Sequence, residues 1–124
     1  SDLVFQLDPD QNITFANTAF EMLGYTVGEL IGKPIKNLID SDDVDSILSK
    51  MATPNVGPLA TTDLEVRFNT NPESSLSEEY PVMTIRVDAS GMWDVPDEVV
   101  FKDEVAKNFL GTLCVGRNAP DNNT

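Results

Sequence analysis

Two pairs of adjacent carboxylates, Asp42-Asp43 and Glu78-Glu79, are the residues whose type and spacing could do acid–base or metal chemistry. Acid–base catalysis requires carboxylates whose surroundings separate their pKa values. Nothing in the sequence places either pair in a cleft, and a chain with 21 acidic residues is expected to keep most of them on a solvated surface. We therefore interpret both pairs as surface residues.

Histidine is absent from the chain, which removes histidine-based acid–base catalysis, a Ser-His-Asp triad and histidine ligation of haem or zinc. The EF-hand spacing, the P-loop and the Rossmann glycine fingerprint are also missing. Cys114 is the only cysteine, and on a predicted strand it is interpreted as a small core residue rather than a reactive thiol. We predict a protein that is not an enzyme, with no catalytic residue and no metal site.

The net charge is −13, from 21 acidic and 8 basic residues. Such a chain repels phosphate backbones and acidic membrane surfaces, which argues against binding to nucleic acid. The acids are spread along the chain, and five lysines accompany thirteen aspartates. This pattern indicates either general solubility or a halophilic protein, because concentrated salt screens the repulsion between carboxylates. No apolar run of about 18 residues and no secretory signal occur, so we expect a cytoplasmic domain without direct membrane insertion.

The first elements that the sequence predicts are two short strands. Alternation of apolar and polar residues predicts one strand over 3–7 and another over 13–16, with the turn-forming residues 8–12 between them. We expect Ile13 and Phe15 to face the core together with the apolar residues of the first strand.

Helix signals follow directly. Thr18 with Glu21, and Thr26 with Glu29, fit the capping box at a helix start, and Gly24 ends the first of these helices. Apolar residues at spacings of three and four then predict a helix over 42–51.

Strands dominate the second half of the chain. They are predicted over 62–69, 80–88 and 108–116, whereas 89–107 is predicted as a connection with a turn or short helix at 97–105. Two strands, helices and three strands indicate an α+β fold: a five-stranded antiparallel sheet with short helices packed on one face.

The stretch from Asp8 to Gly32 resembles the N-terminal half of a PAS domain, the small sensor module of kinases and transducers. The resemblance implies one sensor domain over residues 1–118, with 119–124 as the start of a linker. It also implies a covalently attached output domain, as in haloarchaeal sensor histidine kinases or methyl-accepting transducers, and a homodimer. The matching residues are Asp8-Pro9-Asp10, Ile13-Thr14-Phe15-Ala16-Asn17, Ala19-Phe20, Leu23-Gly24-Tyr25 and Glu29-Leu30-Ile31-Gly32-Lys33.

The same resemblance limits the cofactors. Light-sensing PAS relatives carry a reactive cysteine in an Asn-Cys-Arg motif, which is absent here, and haem-binding relatives use a helical histidine, which is also absent. We therefore expect neither a cysteinyl-flavin nor haem bound by histidine. A flavin bound without a covalent cysteine stays open, although no residue argues for it, and a small aromatic molecule is the candidate ligand.

Apolar residues of the strands and of the 42–51 helix are predicted to line the space between sheet and helices. As the resemblance implies, this space is expected to be a cavity for a small apolar or aromatic molecule, whose binding changes the conformation that the output domain senses. The alternative is a PAS-type dimerisation module with a filled core and no ligand. The predicted ligand-binding residues are Phe5, Phe15, Ile47, Met51, Leu64, Val66, Phe68, Met83, Ile85 and Leu113, with Thr62, Asn69, Tyr80, Thr84 and Thr112 as candidate polar contacts.

Overall fold

The computed structural model describes residues 2–118, and the linker predicted over 119–124 lies outside this range. Five strands form one antiparallel sheet in the order β2-β1-β5-β4-β3, which confirms the predicted α+β class. The strands are β1 (Leu3–Leu7), β2 (Ile13–Ala16), β3 (Thr61–Asn69), β4 (Val82–Trp93) and β5 (Phe109–Asn118).

The helices are short. Three are α-helical: α1 (Val27–Leu30), α2 (Val44–Met51) and α3 (Leu76–Glu79). Four short segments of 3-10 helix accompany them, at Thr18–Leu23 (called the first helical turn), Ile35–Leu38, Gly57–Leu59 and Asp97–Val99.

The core lies between the sheet and these helices. The rings of Phe5 and Phe20 meet edge to face with their centroids 5.5 Å apart, and Phe5 meets Phe68 in the same way at 6.4 Å. All three side chains are fully buried. Edge-to-face contacts of this kind stabilise a core beyond the area that they bury, so aromatic packing links β1, β3 and the first helical turn.

The prediction that Phe15 faces the core is wrong. The pairing between β1 and β2 shifts after Leu7 and Ile13, so that Phe15 lies opposite Gln6 and not opposite an inward-facing residue. A bulge of one residue moves every following side chain to the other face of a sheet. Ile13 is fully buried as expected, whereas Phe15 lies on the outer face with 45% of its surface exposed.

Leu113 also lies on the outer face, contrary to its place in the predicted cavity. It pairs with Gln6 of β1 and Ser90 of β4, which both point outwards. Its neighbour Cys114 is the inward-facing residue and is fully buried. The prediction of an apolar strand was right here, but both faces of β5 are apolar, and alternation alone therefore does not identify the inner one.

Strand β4 is longer than predicted. It continues through Ala89, Ser90 and Gly91 to Trp93, and β5 pairs with it along this length. Gly91, Pro96 and several acidic residues indicated a loop because such residues are typical of turns. The connection that remains, 94–108, is closed at its base by Asp94, whose carboxylate accepts hydrogen bonds from the backbone and side chain of Asn108 at 2.7 and 2.8 Å.

Candidate functional site

The residues predicted to line a cavity are brought together, with two exceptions. Phe5, Met51, Val66, Phe68 and Ile85 are fully buried on the inner side of the sheet. Three more pack against this core while partly exposed; they are Ile47, Leu64 and Met83. Phe15 and Leu113 are separated from them by the sheet itself.

Several residues that share this core escaped the sequence analysis of the site. Leu3, Phe20, Leu23 and Leu30 are all buried within the same cluster. Phe20 was a recognisable candidate because it lies three residues after Asn17, where the helical turn begins, and four before Gly24, where it ends. These side chains surround the same region in which the cavity was expected.

A second feature of the inner face is the crossing segment, residues 51–56, which runs from α2 across the ends of β4 and β5. Its backbone carbonyls accept hydrogen bonds from the sheet: Met51 from the Cys114 thiol at 3.4 Å, and Thr53 from the Thr112 hydroxyl at 3.0 Å. The Pro54 carbonyl accepts from the Trp93 indole at 2.7 Å.

Gly91 allows this approach. Its backbone N–H donates to the Asn55 carbonyl at 2.7 Å, and a Cβ atom at position 91 would lie 2.2 Å from the Pro54 oxygen. Only glycine permits a backbone to come so near. An isolated glycine within a strand pattern was therefore the signal in the sequence for this contact.

Burial under the crossing segment determines the protonation state of the Cys114 thiol. Desolvation raises the pKa of Cys114 to about 12, so the group is a neutral thiol at physiological pH. This agrees with its interpretation as a packing residue.

The acidic pairs lie at the surface. Asp42 and Asp43 are exposed beside Asp40 and Arg67 in an open cleft of about 460 Å³, which the sequence did not indicate. Glu78 and Glu79 are exposed on α3. Residues 2–118 contain no group of three or more acidic, cysteine or histidine side chains that could hold a metal ion.

The outer face of the sheet is divided into an apolar half and a charged half. Val4 pairs with Val115, and Gln6 lies between Phe15 and Leu113, so that uncharged side chains cover β2, β1 and the part of β5 up to Val115. Leu113 and Val115 also line a shallow, mostly apolar cleft of about 180 Å³ beside the start of β3.

The charged half carries all three arginines of the chain, each of them paired. Arg117 contacts Asp63 and Asp88, at 2.5 and 3.4 Å. Arg86 contacts Asp63 and Glu65, at 3.5 and 3.3 Å.

The strands carry no net charge. Arg67, the third arginine, contacts Asp40 at 3.2 Å. The five strands of the described chain contain six charged residues, three arginines and three acids, which sum to zero, although the whole chain carries −13. The excess negative charge therefore lies outside the strands.

The chain belongs to the PAS domain family, whose family model matches residues 1–102. Among curated protein sequences, none matches it. The prediction made from residues 8–32 is thereby confirmed.

Solved structures agree on the fold. A PAS domain from Colwellia psychrerythraea is 18% identical with a TM-score of 0.68, covering 97% of this chain and 87% of that one. The PAS domain of an HTR-like protein from Haloarcula marismortui is 20% identical with a TM-score of 0.61, covering 95% and 81%. A PAS domain from a two-component sensor histidine kinase is 12% identical with a TM-score of 0.56, covering 95% and 85%. No helix within residues 2–118 is long and apolar enough to cross a lipid bilayer.

Proposed function

We propose that this PAS domain is a non-catalytic signal-relay module of a larger signalling protein, and that it pairs with a second copy of itself through the outer face of the sheet. The observation that carries the proposal is the charge distribution: the strands sum to zero charge in a chain of −13. Two such chains repel each other most where their acids face each other. The outer face of the sheet is where that repulsion is smallest.

The apolar half of this face supplies the attraction. Gln6 of β1 lies between Phe15 of β2 and Leu113 of β5. At the usual spacing between neighbouring strands, Phe15 and Leu113 are therefore about 10 Å apart. In a two-fold dimer the same patch meets itself. The exposed ring of Phe15 would then pack against Leu113 and Val115 of the other copy, in the shallow cleft that they line.

The surrounding charges are suited to association in concentrated salt, and we attribute the acidic composition to a halophilic source. Salt screens the repulsion between the acidic remainders of the two copies, whereas it strengthens apolar burial when the ions are excluded from protein surfaces. The proposed dimer should therefore become tighter as salt is added.

Relay to an attached output domain, a kinase or transducer module, would use β5. This strand lies in the centre of the sheet between β1 and β4, and its outward residues Leu113 and Val115 form part of the proposed contact. A change in how two copies pack would displace the strand that precedes the predicted linker. Such a change transmits a signal only if the input favours one of two packings.

The test is Phe15→Asp, followed by sedimentation equilibrium in molar salt. We expect the dimer dissociation constant to rise at least tenfold, because a carboxylate would replace a buried ring at the interface. Phe101→Asp is the matched control, since Phe101 is 53% exposed but lies in the 94–108 connection. A strictly monomeric wild type, or equal weakening by both variants, would contradict the proposal.

A second candidate is the binding of a small apolar or aromatic molecule in the core, as the PAS resemblance implies. The observation that favours it is the crossing segment, whose backbone carbonyls accept hydrogen bonds from the small residues Gly91 and Cys114. Its displacement would open space over the inner face. Mass spectrometry of the native protein for a co-purified molecule, with a thermal-shift screen of small aromatics in molar salt, tests this candidate; no bound molecule and no shift would count against it.

A further inference from the structure

An open cleft of about 290 Å³, with both polar and apolar surface, lies between the end of the first helical turn and the connection from β3 to β4. Three hydroxyl groups border it, those of Tyr25, Thr70 and Ser77, together with the side-chain amides of Asn37 and Asn69. Of its lining residues, only Asn69 was among the candidate polar contacts of the predicted cavity, and none belongs to the apolar half of the outer face.

The lining of this cleft is uncharged. None of its side chains is ionised at neutral pH, because the only titratable one is the Tyr25 phenol, whose ordinary pKa is about 10. Burial, with a smaller effect of Glu29, raises that pKa. The cleft beside Arg67 contains three aspartates, and the cleft on the outer face contains Asp88. In a chain with 21 acidic residues, an uncharged cleft favours an uncharged ligand.

The two amides are available to such a ligand. Within residues 2–118, the side-chain amides of Asn37 and Asn69 make no hydrogen bond to the protein. Each offers one acceptor and two donors. The Tyr25 hydroxyl donates to the Asn69 carbonyl at 3.2 Å, so its oxygen still accepts.

The walls of the cleft are held in place by Asn71. Its backbone N–H donates to the Leu23 carbonyl at 2.8 Å, and its side-chain amide donates to the Gly24 carbonyl at 3.0 Å and to Glu29 at 3.1 Å. The β3–β4 connection is thereby fixed to the helical segment. A ligand would meet a largely preformed site, which lowers the entropic cost of binding.

We propose that this cleft binds a small uncharged polyhydroxylated molecule, a monosaccharide or polyol. Vicinal hydroxyls both donate and accept, which matches the amides of Asn37 and Asn69, while the ring of Tyr25 and the prolines at the rim offer apolar surface to its C–H groups. The volume, just below the usual range for drug-sized ligands, limits the ligand to about one sugar ring.

The experiment is a titration of the isotope-labelled full chain with D-glucose and with glycerol, followed by two-dimensional NMR. We expect saturable shifts at the side-chain amides of Asn37 and Asn69 and at the backbone near Thr70, with a dissociation constant in the millimolar range. Asn69→Asp and Asn37→Asp each remove donors and add a charge, and should weaken binding at least tenfold. Because neither amide supports the fold, both variants should keep the native spectrum.

Ser49→Asp is the control, since it adds the same charge on the exposed side of α2 and should leave binding unchanged. Phe15→Asp should also bind normally, because the cleft is separate from the proposed dimer contact. The proposal would be overturned by chemical-shift changes that increase linearly with sugar concentration at residues over the whole surface. Sugar binding by Asn69→Asp that equals that of the wild type would overturn it too. Saturable binding of a choline cation at this cleft, with none of glucose or glycerol, would overturn it as well.

Discussion

Replacement of Gly91 by alanine tests whether the crossing segment lies against the sheet as described. The added Cβ would lie 2.2 Å from the Pro54 oxygen, whereas ordinary contact begins near 3.4 Å. The segment would have to retreat by about 1.2 Å, the difference between these distances. A shift of that size would lengthen beyond hydrogen-bond range the contacts from Gly91 to Asn55 and from Trp93 to Pro54, both 2.7 Å.

The expected cost follows from these losses. Two hydrogen bonds contribute about 1–3 kcal/mol together, and overpacking of a fitted site costs about 1–3 kcal/mol. The reduced freedom of alanine in the unfolded chain offsets roughly 0.4–1 kcal/mol of this. We expect Gly91→Ala to lower the free energy of unfolding by about 2–4 kcal/mol, which a domain of ordinary stability survives.

Urea unfolding followed by circular dichroism at constant salt measures the effect. Gly28→Ala is the matched control: position 28 is helical, with no neighbouring atom within 4 Å of an added Cβ. Alanine there should be neutral or stabilising by about 0.5–1 kcal/mol. A loss below about 1 kcal/mol in Gly91→Ala, with an unchanged native spectrum, would refute the packing of the crossing segment against β4.

Two further predictions concern titratable groups. Because burial raises the pKa of Cys114 to about 12, the native thiol should react with an aromatic disulfide reagent at pH 8 roughly 100-fold or more slowly than in denaturant; equal rates would contradict its burial. The raised pKa of Tyr25 means that its contribution to stability is complete below the unfolded value near 10 and is lost as the pH rises through the folded value. Tyr25→Phe should therefore cost about 1 kcal/mol at pH 7 through the lost bond to Asn69, and its unfolding free energy should fall less than that of the wild type between pH 9 and 11; parallel curves would contradict the assignment.

The sequence was most informative where local chemistry determines the backbone. Gly24 ends the first helical turn with a left-handed φ of +85°, and Thr26 and Glu29 exchange the hydrogen bonds of a capping box, both as predicted. The partner of Asn17 was not foreseen: its side chain bonds to the backbone of Val4 at 3.1 Å rather than capping the helix. Local signals thus predicted where elements begin and end, but not which distant strand they contact.

The faces of the strands were harder to predict because they depend on pairing. The bulge in β2 turned Phe15 outwards, and no residue in that strand indicates where an extra residue enters the ladder. Leu113 belongs to a strand that is apolar on both sides, and only its pairing with Gln6 and Ser90 identifies its face. The candidate interface therefore came from residues that the sequence had assigned to the interior.

Strand β5 connects the candidate ligand site in the core with the proposed contact between copies, because its successive side chains point to opposite faces of the sheet. Thr112 and Cys114 point inwards and bond to the crossing segment, while Leu113 and Val115 point outwards into the proposed contact between copies. Because successive residues share one backbone, a displacement of the crossing segment that moves Thr112 or Cys114 must also move the apolar half of the outer face. Coupling between the sites requires that this strand have two arrangements, and that both the core ligand and the contact between copies change the balance between them. A core ligand that displaced the crossing segment would then change how the two copies pack, with no need for a longer path through the fold.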